Sequence, residues 1–172
     1  ETGDYELRAY PSLIVAETRI QADFDQAGGE AFPILVDYIQ GENVGGRNLP
    51  MTAPVIQQQQ GTQDWLFQFV MAKEYLMPML PRPLNERVVL QQEPARLIAA
   101  RRYGGGWDET RYRNNEQALL DALAQDGLTP IGAPLFARYN PPFVPGFLRR
   151  NEVLVAVERP RSESEPPLPS GN

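Results

Sequence analysis

Two segments, YPSLIVA at residues 10–16 and EPARLIAA at residues 93–100, share a proline followed by a run of apolar residues. Each pattern predicts a β-strand that begins after the proline. A helical pattern follows in both places, at about residues 25–40 and 109–126, and each helix precedes an Ala-Pro step into another strand. The two leading prolines lie 83 residues apart, and the prolines of the two Ala-Pro steps lie 80 apart. This near-constant spacing predicts that a ββαββ unit occurs twice.

Strand composition and alternation extend this prediction to a fold class. The strands expected from these patterns are 13–20, 65–71, 87–90, 96–102, 135–139 and 152–157. With two helices, the pattern predicts an α+β domain of about eight strands. The symmetric arrangement of two such units is a curved sheet or distorted β-barrel with the helices packed outside. Such an arrangement leaves a groove between helix and sheet in each half, where small ligands usually bind.

The first helix carries a clear apolar face. Phe32, Leu35, Val36 and Ile39 occupy positions i, i+3, i+4 and i+7. Pro33 either kinks this helix or marks its first turn. The face either packs in the core or looks partly into a groove.

The second helix and the end of the chain complete the domain limits. Asp108 is the expected N-cap of the second helix. Residues 159–172 contain prolines, serines and charges with one large apolar residue, so they predict a flexible tail. We therefore expect the folded domain to cover residues 4–158.

Composition excludes several kinds of chemistry. The 172 residues include no cysteine and no histidine, and the net charge is −6. Thiolate catalysis, zinc-thiolate and iron–sulfur sites, Ser-His-Asp triads and histidine ligation of a metal are therefore excluded. The acidic balance disfavours nucleic acid as a partner, and no apolar run is long enough to span a membrane. Because the first residue is Glu1, we expect a processed or trimmed soluble chain, either cytoplasmic or exported after loss of an N-terminal signal.

The segment RRNEV at residues 149–153 is the strongest candidate for polar chemistry. Adjacent arginines at a strand entrance can clamp an anion with paired donors, or they can cap carbonyls and pair with surface carboxylates. Glu152 starts a strand on the face opposite Val153. On a buried face, this glutamate is either paired with an arginine, which is the commoner outcome, or an acid of raised pKa.

Other candidate positions are weaker. Met51 lies in PMTAPV at residues 50–55, after a loop containing two glycines, and it either lines a hydrophobic site or packs in the core. Without histidine or cysteine there is no nucleophile–base pair, so we expect a binding protein rather than an enzyme. A carboxylate-based hydrolase would use Glu152 first.

Five motifs follow one another along the chain: YELRAYP at 5–11, YIQGEN at 38–43, MTAPV at 51–55, YNPP at 139–142 and RRNEV at 149–153. In this order they resemble the SOUL haem-binding protein family. The resemblance covers about residues 5–158. It implies a distorted β-barrel with two helices and a pseudo-twofold repeat, in agreement with the duplication.

The resemblance also implies binding of haem or another tetrapyrrole in a hydrophobic groove against the first helix. Carried over to this chain, the implied binding residues are Phe32, Leu35, Val36, Ile39, Met51, Phe143 and Arg149. An arginine would meet the propionates, with Arg149 or Arg47 as candidates. The histidine ligand used in one branch of the family is absent here, so only Tyr, Met or Lys could ligate iron, and Met51 and Tyr38 lie in suitable segments.

Three functional hypotheses follow. The first is a tetrapyrrole-binding carrier, buffer or sensor without histidine ligation. The second rests on a resemblance of the doubled ββαββ architecture to GyrI-like domains, which bind diverse small molecules and in some members hydrolyse them; Glu152 would then be the acid. The third is an interaction domain that uses the proline-rich tail or the Pro141-Pro142 loop.

Overall fold

The computed structural model describes residues 4–158, and the predicted tail lies outside these residues. The helices and strands follow the order predicted from the duplication. They are β1 (Glu6–Tyr10), β2 (Leu13–Gln21), α1 (Phe24–Ile39), β3 (Val55–Gly61), β4 (Asp64–Val70), β5 (Val89–Glu93), β6 (Arg96–Gly104), α2 (Glu109–Gln125), β7 (Pro130–Arg138) and β8 (Arg150–Val157). Neither α1 nor α2 is long and apolar enough to cross a lipid bilayer.

All eight strands form one antiparallel sheet in the order β1-β6-β8-β7-β3-β4-β2-β5. If each strand is replaced by its counterpart in the other half of the chain, the same order is obtained, read from the opposite edge of the sheet. The registers obey the same symmetry, because Val55 pairs with Arg138 and Leu135 pairs with Gln58, which are equivalent pairs at an offset of 80. The predicted duplication and the α+β curled barrel are therefore confirmed.

Two predicted strands, β5 and β7, differ from the structure by three residues or more at one end. β7 begins at Pro130, five residues before the predicted start, because an irregularity between Ile131 and Leu135 lets the strand continue beyond the regular ladder. Gly132, with φ +73°, lies in this irregularity. β5 is shifted towards the C-terminus because a turn, closed by the Val88 amide donating to the Asn85 carbonyl, occupies the predicted start.

An aspartate precedes each helix, but only one of the two accepts a capping hydrogen bond from a helix amide. The Asp108 side chain accepts a hydrogen bond from the Arg111 amide, as predicted, whereas Asp23 makes no such bond at the start of α1. Pro33 lies inside α1, so it does not mark the first turn. α1 ends at Ile39, and Gly41 follows with φ +121°, a conformation that favours glycine.

The sheet has a buried cluster on each face. The helices pack on one face, where Leu35, Phe136 and Val155 belong to the larger cluster. The other face carries a smaller cluster that includes Leu135 and Leu154. Since side chains alternate along a strand, neighbouring residues of β7 and β8 point into different environments.

Candidate ligand groove

A cavity of about 650 Å³ lies between α1 and the helix-covered face of the sheet. Its apolar lining comes from α1, β3 and the loops next to the sheet: Phe24, Phe32, Met51, Val55, Trp107 and Pro141. The volume falls within the range of about 300–1,000 Å³ that holds small organic ligands. This groove is the candidate binding site of the described residues.

Two consecutive glycines keep one wall of the groove open. Gly28 and Gly29 lie inside α1 and both line the cavity. A Cβ atom added at Gly29 would meet nothing within 4 Å. Pro33, four residues further, has no N–H to donate to the Gly29 carbonyl. The wall therefore offers bare backbone and one carbonyl without its usual helical donor.

Arg138 is the basic residue of the groove. It ends β7, and its guanidinium carbon lies 4.8 Å from the ring centroid of Phe136 and 5.1 Å from that of Trp107. One terminal nitrogen donates to the side-chain oxygen of Gln57. A Cβ atom added at Gly28 would lie 2.9 Å from Arg138 Nη1, so the absence of a side chain there makes room for the guanidinium.

Among residues 4–158, Arg138 forms no ion pair with a carboxylate. Asp25, which also lines the groove, acts on its charge only at longer range. Its Nε and the amide nitrogen of Gln57 are buried donors without an acceptor. Burial lowers the pKa of Arg138 to about 10, so the group remains charged at neutral pH. A buried charge and unsatisfied donors are costly unless a ligand supplies the acceptor.

The second half of the duplication differs at the equivalent place. Counted from the two aspartates that precede the helices, Arg113 of α2 corresponds to Gly28 of α1. Its guanidinium carbon lies 5.8 Å from the Trp65 ring centroid and 5.3 Å from that of Tyr112. A terminal nitrogen also donates to Gln59 Oε1 at 2.6 Å. In the second half, Arg113 thus lies across the surface that is equivalent to the one left open by Gly28 in the first half.

The predicted binding residues divide between groove and core. Phe32 and Met51 line the groove. Leu35 and Ile39 are buried in the helix-side core, and Val36 is half-buried against it. These three residues, on the predicted apolar face of α1, support the helix that carries the groove wall.

The remaining predicted binding residues and the alternative anchor lie elsewhere. Phe143 is exposed on the loop after β7. Arg47 donates to the Met79 carbonyl at 2.7 Å. Tyr38 is buried and donates to the Pro81 carbonyl at 2.9 Å, and burial raises its pKa to about 12. None of these three lines the groove.

Arg149 and Arg150 have separate partners. Arg149 donates from Nε to the Val144 carbonyl and from Nη2 to the Pro142 carbonyl, each at 2.7 Å. Its guanidinium carbon also lies 4.0 Å from the ring centroid of Trp107. Arg150 instead donates to Glu152 Oε1 at 2.6 Å. The two guanidinium groups therefore do not form a joint anion clamp in this structure.

Glu152 is a buried, fully paired carboxylate. Arg8 donates to both of its oxygens at 2.8 and 2.9 Å, Arg150 donates to Oε1, and the Tyr139 hydroxyl donates to Oε2 at 2.7 Å. Burial raises the pKa of Glu152, but the hydrogen bonds from Arg8, Arg150 and Tyr139 outweigh it and hold the pKa at about 2. Its strand position shares the helix-free face with Leu154. This environment lacks the raised pKa that the hydrolase hypothesis requires.

Arg138, Gly28 and Gly29 were not among the binding residues predicted from the sequence. A charged residue inside LFARY, between apolar strand residues, was a usable signal for Arg138. Two glycines inside a helical pattern were another, because each costs helix stability and needs a compensating reason. Neither signal showed that Arg138 packs against Gly28, since these two residues are about 110 positions apart along the chain.

Comparisons with known proteins agree with this architecture. The model of the family described as SOUL heme-binding protein matches residues 1–156. Heme-binding protein 2 from Homo sapiens is 29% identical over 177 residues, covering 96% of this chain and 84% of that protein.

Two solved structures share the fold. The EcmrR C-terminal domain has a TM-score of 0.71 at 19% identity and covers 90% of this chain and 98% of its own. A hydrolase from Listeria innocua has a TM-score of 0.63 at 9% identity and covers 90% of this chain and 92% of its own. At these identities the similarity concerns the fold alone. The family model spans nearly all of the described residues, and the chain belongs to the SOUL heme-binding protein family.

Proposed function

We propose that this protein binds haem or a related tetrapyrrole in the groove between α1 and the sheet, as a carrier, buffer or sensor. The observation that carries the proposal is the pairing of an apolar groove with the uncompensated guanidinium of Arg138. A tetrapyrrole has a flat apolar ring and carboxylate side chains. The ring suits the apolar lining, and a carboxylate suits the unsatisfied donors.

The apolar part of the groove supports ring binding. Phe24, Phe32 and Trp107 supply aromatic surface, and the glycine wall lets a flat ligand approach the helix backbone. Burial of a few hundred Å² of apolar surface at about 25 cal/mol per Å² contributes several kcal/mol before the cost of association. This is enough for binding that does not depend on an iron ligand.

The polar part of the groove supports binding of a ligand carboxylate. Arg138 Nε and the Gln57 amide lack acceptors, and an ionised carboxylate provides several. A charge-assisted hydrogen bond of this kind contributes about 1.5–3 kcal/mol. We propose Arg138, rather than Arg149 or Arg47, as the main anchor for a propionate.

The residues present do not favour strong iron ligation. The sequence has no histidine. The Tyr139 hydroxyl is bonded to Glu152 and the Tyr38 hydroxyl to Pro81. Met51 is half-exposed at the groove and is the remaining candidate among the predicted ligands that line it. We therefore propose that the protein binds metal-free and iron-containing rings with similar affinity.

Titration of the purified protein with hemin and with metal-free protoporphyrin tests the proposal. We expect a shifted Soret band that saturates near one equivalent for both rings. Arg138→Gln should weaken protoporphyrin binding by about tenfold to a hundredfold, the equivalent of the lost hydrogen bond. The matched control is Arg113→Gln, which removes an arginine from α2 that packs against aromatic rings but does not line the groove.

The dimethyl ester of protoporphyrin keeps the ring but has no carboxylate charge, so it measures the contribution of the ring alone. The ester should bind the native protein and Arg138→Gln equally, because its side chains carry no negative charge. Equal weakening of acid and ester would refute the role of Arg138 as a carboxylate anchor. If neither ring saturates the protein, tetrapyrrole binding is refuted. A strong Soret shift with hemin alone would refute ring binding that does not depend on a protein ligand to the iron.

The observations give the hydrolase alternative less support. Glu152 is ion-paired on the helix-free face, and Asp25, the acidic residue that lines the groove, is exposed. The remaining form of this alternative is a groove that prefers another flat, apolar anion. In that case the ring titrations fail while Arg138→Gln still weakens binding of the preferred anion.

The prediction that nucleic acid is not a partner rests on the charge of −6.

A further inference from the structure

The loop between β7 and β8, residues 139–149, displays three large apolar side chains to solvent. Phe143 is 85% exposed, Phe147 is 81% exposed and Leu148 is 63% exposed. Exposed apolar residues that occur singly need no explanation, but two aromatic rings and a leucine within six residues form a cluster. The mechanism proposed for the groove does not use these three side chains.

The loop holds these side chains on a fixed backbone. Arg149 donates to the carbonyls of Val144 and Pro142 from inside the loop. The Leu148 amide donates to the Pro145 carbonyl at 2.9 Å, closing a short 3₁₀ turn. Proline also restricts the backbone at residues 141, 142 and 145. Little conformational entropy is therefore left to lose when the loop enters another medium.

These internal hydrogen bonds also lower the cost of leaving water. An apolar medium offers no partners to backbone carbonyls and amides, so an inserted loop must satisfy them itself. Two carbonyls of this loop accept from the Arg149 guanidinium, and the Val144 amide donates to the Pro141 carbonyl at 3.1 Å. The loop thus combines exposed apolar side chains with several backbone groups that are satisfied within the loop.

Local charge indicates the kind of surface that the loop meets. Residues 139–151 contain two arginines and no aspartate or glutamate, in a chain of net charge −6. Arg150 is neutralised by Glu152, whereas Arg149 forms no ion pair among residues 4–158. The loop therefore combines exposed apolar side chains with an arginine that forms no ion pair, a combination that suits the hydrocarbon and the anionic headgroups of a membrane surface.

The size of the cluster favours a bilayer over a protein partner. Three such side chains present roughly 500 Å², whereas a stable protein interface needs about 800 Å² from each partner. A bilayer requires no matching shape and accepts a small projecting tip. The groove opens beside the same loop, because Pro141 and Pro142 line it.

We propose that the loop at residues 139–149 docks the protein on a membrane surface with anionic phospholipid headgroups, by inserting Phe143, Phe147 and Leu148 into the interfacial layer. The contact is peripheral and goes beyond the proposed tetrapyrrole binding. It requires neither an occupied groove nor a spanning segment.

Flotation of the full chain with lipid vesicles tests this inference. The probes are phosphatidylcholine vesicles with and without about 30% phosphatidylserine. We expect stronger binding to the mixed vesicles, and a loss of about tenfold or more for each phenylalanine replaced in Phe143→Ser and Phe147→Ser. Both side chains are largely exposed, so the variants should keep the native melting temperature.

A matched control removes apolar surface from a different loop. Leu76→Ser with Leu84→Ser changes two exposed leucines at residues 76–84. This pair should bind vesicles as the native chain does; an equal loss in both pairs would overturn the assignment to the 139–149 loop. Phe143→Trp should gain an indole whose emission is quenched by brominated lipid, and an unquenched indole in vesicle-bound protein would also overturn it.

Two other outcomes would overturn the proposal, one for the membrane as the partner and one for its anionic headgroups. Self-association in sedimentation experiments without lipid, lost in Phe143→Ser with Phe147→Ser, would assign the loop to contact with a second copy and refute membrane docking. Equal binding to vesicles with and without phosphatidylserine would refute the part assigned to anionic headgroups.

Discussion

Alanine substitution at the two adjacent glycines of α1 should have different consequences for stability. Inside a helix, alanine is about 0.8–1.0 kcal/mol more favourable than glycine. A methyl group at Gly29 meets nothing within 4 Å, so Gly29→Ala should gain about this amount. A methyl group at Gly28 lies 2.9 Å from Arg138 Nη1 and must displace the guanidinium.

The magnitude of the displacement follows from the contacts of Arg138. Moving its guanidinium weakens the hydrogen bond to Gln57, which contributes about 1 kcal/mol. It also disturbs the cation–π contacts with Phe136 and Trp107, at about 0.5–1 kcal/mol each. These losses offset the helix-propensity gain, so Gly28→Ala should be neutral or destabilising by about 1 kcal/mol.

Urea unfolding followed by tryptophan fluorescence measures both variants. The expected difference between them is about 1–2 kcal/mol in the free energy of unfolding. In an Arg138→Gln background the difference should largely disappear, because the shorter side chain leaves space for the methyl group. Equal stabilisation by Gly28→Ala and Gly29→Ala in the native background would refute the packing of Arg138 against the glycine wall.

Two further predictions concern paired and capping carboxylates. Glu152→Gln should cost about 3 kcal/mol, because it leaves Arg8 and Arg150 without their anion, and the denaturant midpoint should show this loss. Since the folded-state pKa of Glu152 is depressed from 4.5 to about 2, its stabilisation is present above pH 4.5 and is lost as the pH falls towards 2. Unfolding midpoints measured between pH 2 and pH 6 should fall less steeply in Glu152→Gln, and an unchanged slope would contradict this. Asp108→Ala should cost about 1 kcal/mol through loss of its cap bond, while Asp23→Ala, which removes no cap bond, should cost clearly less; equal losses in thermal melts would contradict the difference in capping.

The sequence predicted the elements of the fold well because their signals are local. A proline before an apolar run, a helical period and an aspartate cap are each determined within a few residues. One strand boundary changed for a non-local reason, because β7 begins early through its irregular pairing with β8. The sequence allowed two alternatives for Pro33, and it lies inside α1. The symmetric register between β3 and β7 was not predicted, because it depends on how the two halves of the chain pair in the folded sheet.

The candidate site was harder to predict because its residues come from distant parts of the chain. The apolar face of α1 was visible, but only packing divided it into Phe32 at the groove and Leu35 in the core. Arg149 and Arg150 are adjacent in sequence, yet one bonds loop carbonyls and the other bonds Glu152. Sequence adjacency therefore suggested a shared clamp that the backbone directions do not form.

By itself, the sequence determined the duplicated ββαββ architecture, the exclusion of histidine and thiolate chemistry, and the family resemblance, because these depend on composition and short-range pattern. The tertiary structure decided which charged residues are compensated. Glu152 is neutralised by Arg8 from another strand, whereas Arg138 meets aromatic rings and a glycine wall instead of a carboxylate. The physical reason is that charge compensation depends on which side chains lie within a few ångströms, and only the folded sheet brings those strands and α1 together.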